Sequence, residues 1–367
     1  MALTLDDLRR HAVARSLFTA RSLPQALARF GFVQADPIRA PARAQDLTLR
    51  HRVPGYRAGD LEARYARLPL DEDFFINYGF LPRDLVALMH PRTPQTAWSR
   101  ARWAQAHAVL EFVRERGVVH PRDVDAAFDH GRSKNWFGGH SRASTELLDG
   151  MHYRGLVRTA AREGGVRLYA ARPAHEPVAD AAAALDRLAD VVVGLYAPLP
   201  AATLSMVLRR IRYGVPQWTP HMNALVARTR ARLPSATVDG TTWFWPAGEN
   251  PASRRHAGVD DDDTLRLLAP FDPIVWDRER FERLWGWAYR FEAYTPAPKR
   301  VRGHYALPLL WRGRVIGWAN AAVTEGRLRV EPGYVDGRAP RDAAFKPALA
   351  AEVQRLREFL GLAPEAG

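Results

Sequence analysis

Residues 156–170 read LVRTAAREGGVRLYA, and this stretch decides how the middle of the chain is interpreted. Two runs that contain β-branched and aromatic residues flank the turn EGG at 163–165, which is typical of a β-hairpin with a glycine-rich turn. Two short helical patterns precede the hairpin, one opening at His120 and one ending near Tyr153. Two helices followed by a hairpin predict a winged helix over residues 117–176.

The same order of patterns recurs over residues 177–248. Helical patterns cover about 200–212 and 219–232, and two short strand-like runs flank the turn Asp239-Gly240. Two such units make an internal repeat, and repeated winged helices usually bind nucleic acid or each other. The alternative is that both units serve only as structural spacers.

Upstream of the repeat, residues 32–38 read FVQADPI. If this run is extended, Gln34 and Asp36 point to one face, and Val33 and Ala35 point to the other. An amide and a carboxylate would then lie side by side against an apolar wall, which is costly unless both are hydrogen-bonded. The alternative is that Asp36 caps the segment that follows and Gln34 is a hydrogen-bonded residue at the rim.

The remaining segments carry weaker patterns. The run DDDD at 260–263 could indicate the metal site of a nuclease, but it lacks the spacing of metal ligands and is more typical of a solvated loop. Beyond it the chain becomes rich in strand patterns. The further predicted elements are a long helix over 94–116, strands over 305–310, 314–319 and 327–330, and a closing helix over 347–360.

Composition points to an anionic partner. The chain has 367 residues and a formal net charge of +13, with a sequence pI near 10.5, and such a balance favours a polyanion. Nearly all of the base excess is arginine, and a high arginine content is also typical of GC-rich coding genomes. Without cysteine the chain can form neither disulfides nor thiolate zinc sites.

Targeting signals are not apparent. The sequence contains no apolar run of about 18 residues, which excludes a membrane-spanning helix of the usual kind. The first residues, MALTLDD, carry acids where a signal peptide carries bases. We therefore expect a cytoplasmic protein that is associated with the nucleoid.

Three stretches together carry a resemblance to a known family. They are Gln34-Ala35-Asp36, LAPFDPIVWDRER at 268–280 and YRFEAYTPAPKR at 289–300. The chain resembles the AlkZ/YcaQ-type winged-helix DNA glycosylases, in the subgroup with a Q-x-D motif. This resemblance implies an α+β fold of tandem winged-helix domains followed by a C-terminal β-barrel-like domain. The implied domains are 1–116, an irregular winged-helix-like unit with the motif, then 117–176, 177–248 and 264–367.

The resemblance also implies the site residues. Gln34 and Asp36 take the places of the family's catalytic pair, and no metal or cofactor is expected. We predict DNA contacts from Arg43, Arg52, Lys299 and Arg300, with the alternative that Arg43 and Arg52 pair with nearby acids such as Asp46. Two departures stand out. The middle motif residue is the small Ala35, and Ile76-Asn77 stands where the family carries a His-Glu-containing segment.

The implied function is that of a monofunctional DNA glycosylase for purines alkylated at N7. The expected partner is double-stranded DNA and not a membrane, and the expected oligomeric state is a monomer. An N7-alkylated purine is cationic, so its glycosidic bond breaks without protonation of the base. Such an enzyme needs a carboxylate to stabilise the developing oxocarbenium ion or to deprotonate water, and an amide to orient that water. Interstrand crosslinks at N7 are a possible second substrate. The alternative function is a non-catalytic winged-helix regulator or architectural DNA binder.

Overall fold

The computed structural model describes residues 2–128, 132–134, 140–174 and 176–363, and it shows a mixed α and β protein with small antiparallel sheets. Local signals start the first helices, because Thr4 forms a capping box with Asp7 and the Ser22 side chain accepts the N–H of Gln25. The elements of the first segment are α1 (Leu5–Ser16), α2 (Leu23–Phe30), β1 (Val33–Gln34), α3 (Ala44–Leu49), α4 (Asp60–Arg64), β2 (Leu70–Phe74), β3 (Tyr78–Pro82) and α5 (Arg83–Ala87).

Strands β1, β3 and β2 form an antiparallel sheet in that order, and this sheet holds the Q-x-D motif. β1 pairs with β3 over two residues, with Gln34 opposite Gly79. A Cβ atom on Gly79 would lie only 2.4 Å from the carbonyl oxygen of Val33. Glycine at this position therefore lets the two strands approach closely enough to fix the motif against the sheet.

The second segment begins with a helix that is shorter than the sequence predicted. α6 starts at Arg100 and not near Pro94, because the Ser99 side chain accepts the N–H of Arg102 and caps the helix there. Trp98 lies before this cap and packs under the guanidinium of Arg154, at 3.7 Å from the ring centroid. The segment contains α6 (Arg100–Arg116), β4 (Val118–Val119), α7 (Pro121–Ala127), β5 (Arg132–Lys134), β6 (His140–Arg142), α8 (Ala143–Tyr153), β7 (Val157–Glu163) and β8 (Val166–Ala171).

The third segment repeats the order helix, short strand, helix, helix, hairpin. In the second segment β4 pairs with the hairpin strand β8, and in the third the corresponding short strand pairs with the last hairpin strand. Both hairpins lie within two residues of their predicted positions. The elements are α9 (Ala181–Tyr196), β9 (Leu199–Pro200), α10 (Ala201–Arg210), α11 (Met222–Arg232), β10 (Ser235–Val238) and β11 (Thr241–Phe244).

The C-terminal sheet is open, which corrects the expected β-barrel-like domain. Its strand order is linear, and the two outer strands each pair with one neighbour in the described residues. The closing helix packs against it through Phe345, whose ring lies 5.5 Å from that of Trp311. The sheet is thus covered by a helix and does not close on itself. Its elements are β12 (Arg266–Leu267), α12 (Arg278–Trp285), β13 (Leu307–Trp311), β14 (Arg314–Thr324), β15 (Arg327–Tyr334) and α13 (Phe345–Phe359).

Buried charges join the second segment to the first. β2 carries three consecutive acids with little or no exposure, Asp71, Glu72 and Asp73. Arginines from other elements neutralise them: Arg162 on β7 binds both carboxylate oxygens of Glu72 (2.7 and 2.5 Å), Arg92 binds Asp73 (3.0 Å), and Arg172 binds Asp71 (3.0 Å) and Asp73 (3.3 Å). The β7–β8 hairpin is therefore held beside the sheet that carries the motif. None of the helices in the described ranges is long and apolar enough to cross a bilayer.

Candidate active site

Asp36 is a buried carboxylate, 8% exposed, that follows β1. Its Oδ1 accepts the backbone N–H of Ile38 (2.8 Å), and its own N–H donates to Oε1 of Gln45 (3.3 Å). In the described part of the chain it forms no ion pair with a basic side chain. Burial raises the pKa of Asp36, and the hydrogen bond from Ile38 opposes that rise only in part. A buried acid without a cationic partner is typical of a functional site.

The Gln34 side chain is held by donors from two distant segments. Its Oε1 accepts the indole N–H of Trp276 (2.8 Å) and the side-chain amide of Asn77 (3.1 Å). Trp276 is itself fixed, because its ring stacks on Tyr196 with 4.8 Å between centroids. Because an indole N–H can only donate, the Gln34 side-chain atom that faces Trp276 must be the amide oxygen. The NH₂ group of Gln34 has no hydrogen-bond partner in the described residues and can donate to a bound molecule.

The two motif side chains do not share one open face as the sequence predicted. Strand pairing ends with the N–H of Ala35 donating to the carbonyl of Tyr78 (3.0 Å), and the chain then turns at Asp36. Gln34 lines a small cavity together with Phe271, whereas Asp36 lines a larger one. Strand pairing thus ends one residue before Asp36, and each motif side chain borders a different cavity.

The cavity beside Asp36 has a volume of about 380 Å³ and lies between the first segment and the β7–β8 hairpin. Each arginine that lines it has a carboxylate partner: Arg43 pairs with Glu62, Arg162 with Glu72, and Arg167 with Asp149 (2.7 Å). Asp36 is the remaining charge among the lining residues. When the partners Glu62 and Glu72 behind the wall are counted with the lining residues, three arginines face four carboxylates, and Asp36 is the carboxylate that no arginine neutralises. The lining residues are Ala35, Asp36, Pro37, Arg43, Gln45, Phe74, Tyr78, Asp149, Arg162, Gly165 and Arg167.

The four predicted DNA contacts lie in different places. Arg43 is half-buried in the cavity wall, and its partner is Glu62 and not Asp46. Arg52 lies in the interior, where its guanidinium binds the carboxylate of Asp272 and two backbone carbonyls. The structure thus gives Arg52 an internal partner where we predicted a surface contact.

Lys299 and Arg300 are placed quite differently. Lys299 is exposed on a short 3₁₀ turn, Ala297–Lys299, and Arg300 follows it with its Nε donating to the carbonyl of Thr295 (2.7 Å). Both remain candidates for contact with DNA phosphates.

The acidic run at 260–263 has basic partners, one of them local and two from distant segments. Asp260 pairs with Arg10 (2.9 Å), Asp262 with Arg266 (2.9 Å), and Asp263 with Arg312 (2.5 Å). Three of the four acids thus hold basic side chains, a role that the solvated-loop interpretation did not include and that gives no support to a metal site.

Sequence reasoning missed several residues of the site. Trp276 was within a quoted motif, but its contact with Gln34 spans 242 positions and has no local signature. Asn77 carried a weak signal as a polar residue in the aromatic run 74–81. Arg162 and Arg167 reach the cavity because the hairpin folds back onto the first segment, which no local pattern shows.

The motif thus places a buried acid in a cavity lined by paired arginines and an oriented amide at a neighbouring cavity, and comparison with known proteins shows the family to which the chain belongs. A family model described as "DNA glycosylase AlkZ-like" matches residues 27–359. The chain therefore belongs to the AlkZ-like DNA glycosylase family. Its structure is similar to that of the Streptomyces sahachiroi DNA glycosylase AlkZ, with a TM-score of 0.62 and 15% sequence identity over 99% of this chain and 98% of that one. At this identity the similarity concerns the fold.

Proposed function

We propose that the protein is a monofunctional glycosylase that hydrolyses the N-glycosidic bond of cationic N7-alkylated purines in double-stranded DNA. The observation that carries the proposal is Asp36, a buried carboxylate without a cationic partner in a cavity whose arginines are all paired. A cavity of this charge favours a positively charged base over a neutral one. A free arginine in the wall would repel such a base, and the partners Glu62, Glu72 and Asp149 remove that repulsion.

Asp36 supplies the negative charge that the reaction requires. As the bond to the cationic base breaks, positive charge moves onto the sugar, and the Asp36 carboxylate stabilises it or deprotonates the attacking water. Catalysis of the latter kind contributes roughly 10²–10⁴-fold. The base leaves as a neutral purine and needs no acid. Gln34 donates through its NH₂ group and holds the water for attack, while Trp276 and Asn77 keep the amide in that orientation.

The remaining chain holds the duplex. We propose that residues 117–176 and 177–248 are winged helices that contact DNA, and that Lys299 and Arg300 bind phosphates. The protein acts as a monomer in the compartment that contains the chromosome. The same chemistry extends the substrates to N7-linked interstrand crosslinks, because each linked purine is cationic at N7.

Base release from two substrates tests this function. Duplexes that contain 7-methylguanine or an N7-linked crosslink are incubated with the protein and with Asp36→Asn, which removes the charge and keeps the shape. We expect release of free base by the parent protein and a loss of most activity in Asp36→Asn, with unchanged affinity for the duplex. DNA binding without base release by the parent protein would favour the non-catalytic regulator instead.

A further inference from the structure

The most exposed large apolar side chains of the described residues lie on one basic loop. Tyr294 is 75% exposed and Val301 is 79% exposed, whereas the next such side chain, Val118, is 51% exposed. Lys299 and Arg300 lie between them in the sequence. We name residues 294–302 the basic loop. Single exposed apolar residues are common, but two on one basic segment indicate a surface that meets a partner.

Hydrogen bonds hold the C-terminal end of the basic loop on both sides. Oε2 of the buried Glu292 accepts the backbone N–H groups of Val301 (2.9 Å), Arg302 (2.7 Å) and Gly303 (3.3 Å). On the other side, the carbonyl of Arg302 accepts the side-chain amide of Asn320 (2.7 Å) and the indole N–H of Trp318 (3.1 Å). These bonds fix the backbone at Val301, and the ring of Tyr294 contacts Phe291 at the other end of the loop. Such prearrangement lowers the entropy that binding would cost.

Aromatic contacts connect this loop to the candidate active site. Phe271, which lines the cavity at Gln34, lies 5.2 Å from Phe291 between ring centroids. Phe291 in turn contacts Tyr294 at 6.0 Å and Tyr305 at 5.3 Å. Tyr305 is buried, and after burial itself the Asp36 charge is the next cause that raises its pKa. The N-terminal end of the loop is therefore connected through Phe291 to Phe271 at the Gln34 cavity, and Phe291 also contacts Tyr305, on which the Asp36 charge acts.

We propose that the basic loop enters the duplex at the lesion, where Tyr294 stacks in the space left by the displaced nucleotide and Val301 separates the adjacent base step. Lys299 and Arg300 hold the flanking phosphates. Apolar side chains that insert between base steps unstack them, and aromatic rings stack on bases of any sequence. Displacement of the damaged nucleotide costs free energy that such contacts offset. This inference rests on the proposed function, because it gives the loop the task of delivering the base to Asp36.

Fluorescence of 2-aminopurine placed next to a 7-methylguanine tests the insertion. Because unstacking raises this fluorescence, we expect an increase when the parent protein binds the duplex. Tyr294→Ala should remove most of that increase and slow single-turnover base release at least tenfold, with affinity for the duplex within threefold. Tyr294→Phe should restore both signals. Val323→Ala, which truncates an exposed valine on β14 outside the loop, is the matched control and should change neither.

The outcomes separate the loop from the chemistry. An unchanged fluorescence increase in Tyr294→Ala, or no increase with the parent protein, would overturn the insertion. A fluorescence increase that depends on Tyr294, without release of base by the parent protein, would support the loop and reject the proposed glycosylase reaction. Slower release with an unchanged fluorescence increase would also overturn the insertion, since Tyr294 would then act on the chemical step.

Discussion

At the scale of single residues, the geometry of Asp36 is compatible with both of the roles that the sequence set against each other. Its Oδ1 accepts the N–H of Ile38 and closes a local turn, as the capping interpretation required. The turn occupies one carboxylate oxygen and buries the group without a cation beside it. Capping therefore does not compete with catalysis here. It holds the carboxylate at the cavity wall, and Oδ2, which has no hydrogen-bond partner in the described residues, remains for the proposed reaction.

The pH dependence of base release should report this burial. Burial raises the pKa of Asp36, so the carboxylate forms at a higher pH than in an exposed aspartate, whose pKa is about 3.9. Because the ionised form is the active one, the single-turnover rate should rise with pH with a midpoint above that value. The measurement is base release from 7-methylguanine DNA across pH 4–8, corrected for acid depurination. A rate that is flat down to pH 4 would contradict the role of Asp36.

The same shift has a consequence for stability. A raised pKa means that the folded protein favours the neutral acid, so ionisation of Asp36 lowers the free energy of unfolding at pH 7. Asp36→Asn is neutral and keeps an oxygen for the N–H of Ile38. This variant should therefore be at least as stable as the parent protein at pH 7, as checked by thermal unfolding. A lower melting temperature would show that the carboxylate supports the fold.

Gln34 should act as a donor, which Gln34→Glu tests. A glutamate can still accept from Trp276 and Asn77 but has no N–H to offer, so we expect base release to fall at least tenfold. Trp276→Phe should cause a smaller loss, because Asn77 still holds the amide oxygen. Trp285→Phe is the control, since its indole N–H bonds the carbonyl of Gly313 (3.0 Å). Full activity in Gln34→Glu would reject the donor role.

At the scale of elements, local signals predicted what local chemistry determines. The two hairpins were located correctly because their turn residues require positive φ angles, as Gly164, Gly165, Asp239 and Gly240 show. The start of α6 was wrong by six positions, because Pro94 resembles a first helical residue and the true cap is Ser99. Both signals are plausible in isolation, and only the surrounding packing selects one of them.

The relation between Gln34 and Asp36 could not be predicted in the same way. A strand that continued to Asp36 would place both on one face, and the pattern of 32–38 permits this. Pairing with β3 ends one residue earlier, and the turn to Ile38 redirects the carboxylate. Likewise, the partner of Arg52 is Asp272, 220 positions away, so the sequence could not show that this arginine is internal.

The ion pair between β2 and β7 should hold the hairpin at the cavity. Arg162→Met would leave Glu72 buried with only the Tyr78 hydroxyl as a side-chain donor (2.9 Å), and breaking such a pair typically costs about 3–5 kcal/mol. The double variant Glu72→Gln with Arg162→Met should lose less free energy of unfolding than the sum of the losses in the two single variants. Urea denaturation of the parent protein, both single variants and the double variant measures this double-mutant cycle. Additive effects would show that the two groups are not coupled.

At the scale of the whole molecule, the 53 basic side chains are not all free surface charges. Several arginines are consumed inside the fold, as the pairs of Arg52 with Asp272, Arg92 with Asp73 and Arg50 with Glu352 show. Each pair also uses one acid and leaves the net charge of +13 unchanged, so it is the count of 53 basic residues that overstates how many side chains can reach DNA. The contribution of each arginine has to be judged from its burial and its partners, and not from the total.

The salt dependence of DNA affinity distinguishes the basic side chains of the loop, Lys299 and Arg300, from an internal arginine such as Arg52. Each phosphate that the protein neutralises adds about −0.9 to the slope of the logarithm of the affinity against the logarithm of the salt concentration. Lys299→Ala and Arg300→Ala should each reduce the slope by about one and weaken binding to damaged and undamaged duplexes alike. Arg52→Ala should leave the slope unchanged and lower the melting temperature, because it leaves Asp272 buried and unpaired. Fluorescence anisotropy measures these slopes at salt concentrations between about 50 and 200 mM, because phosphate contacts lose much of their affinity over this range. A reduced slope in Arg52→Ala, or unchanged slopes in both loop variants, would show that DNA meets a different surface of the protein.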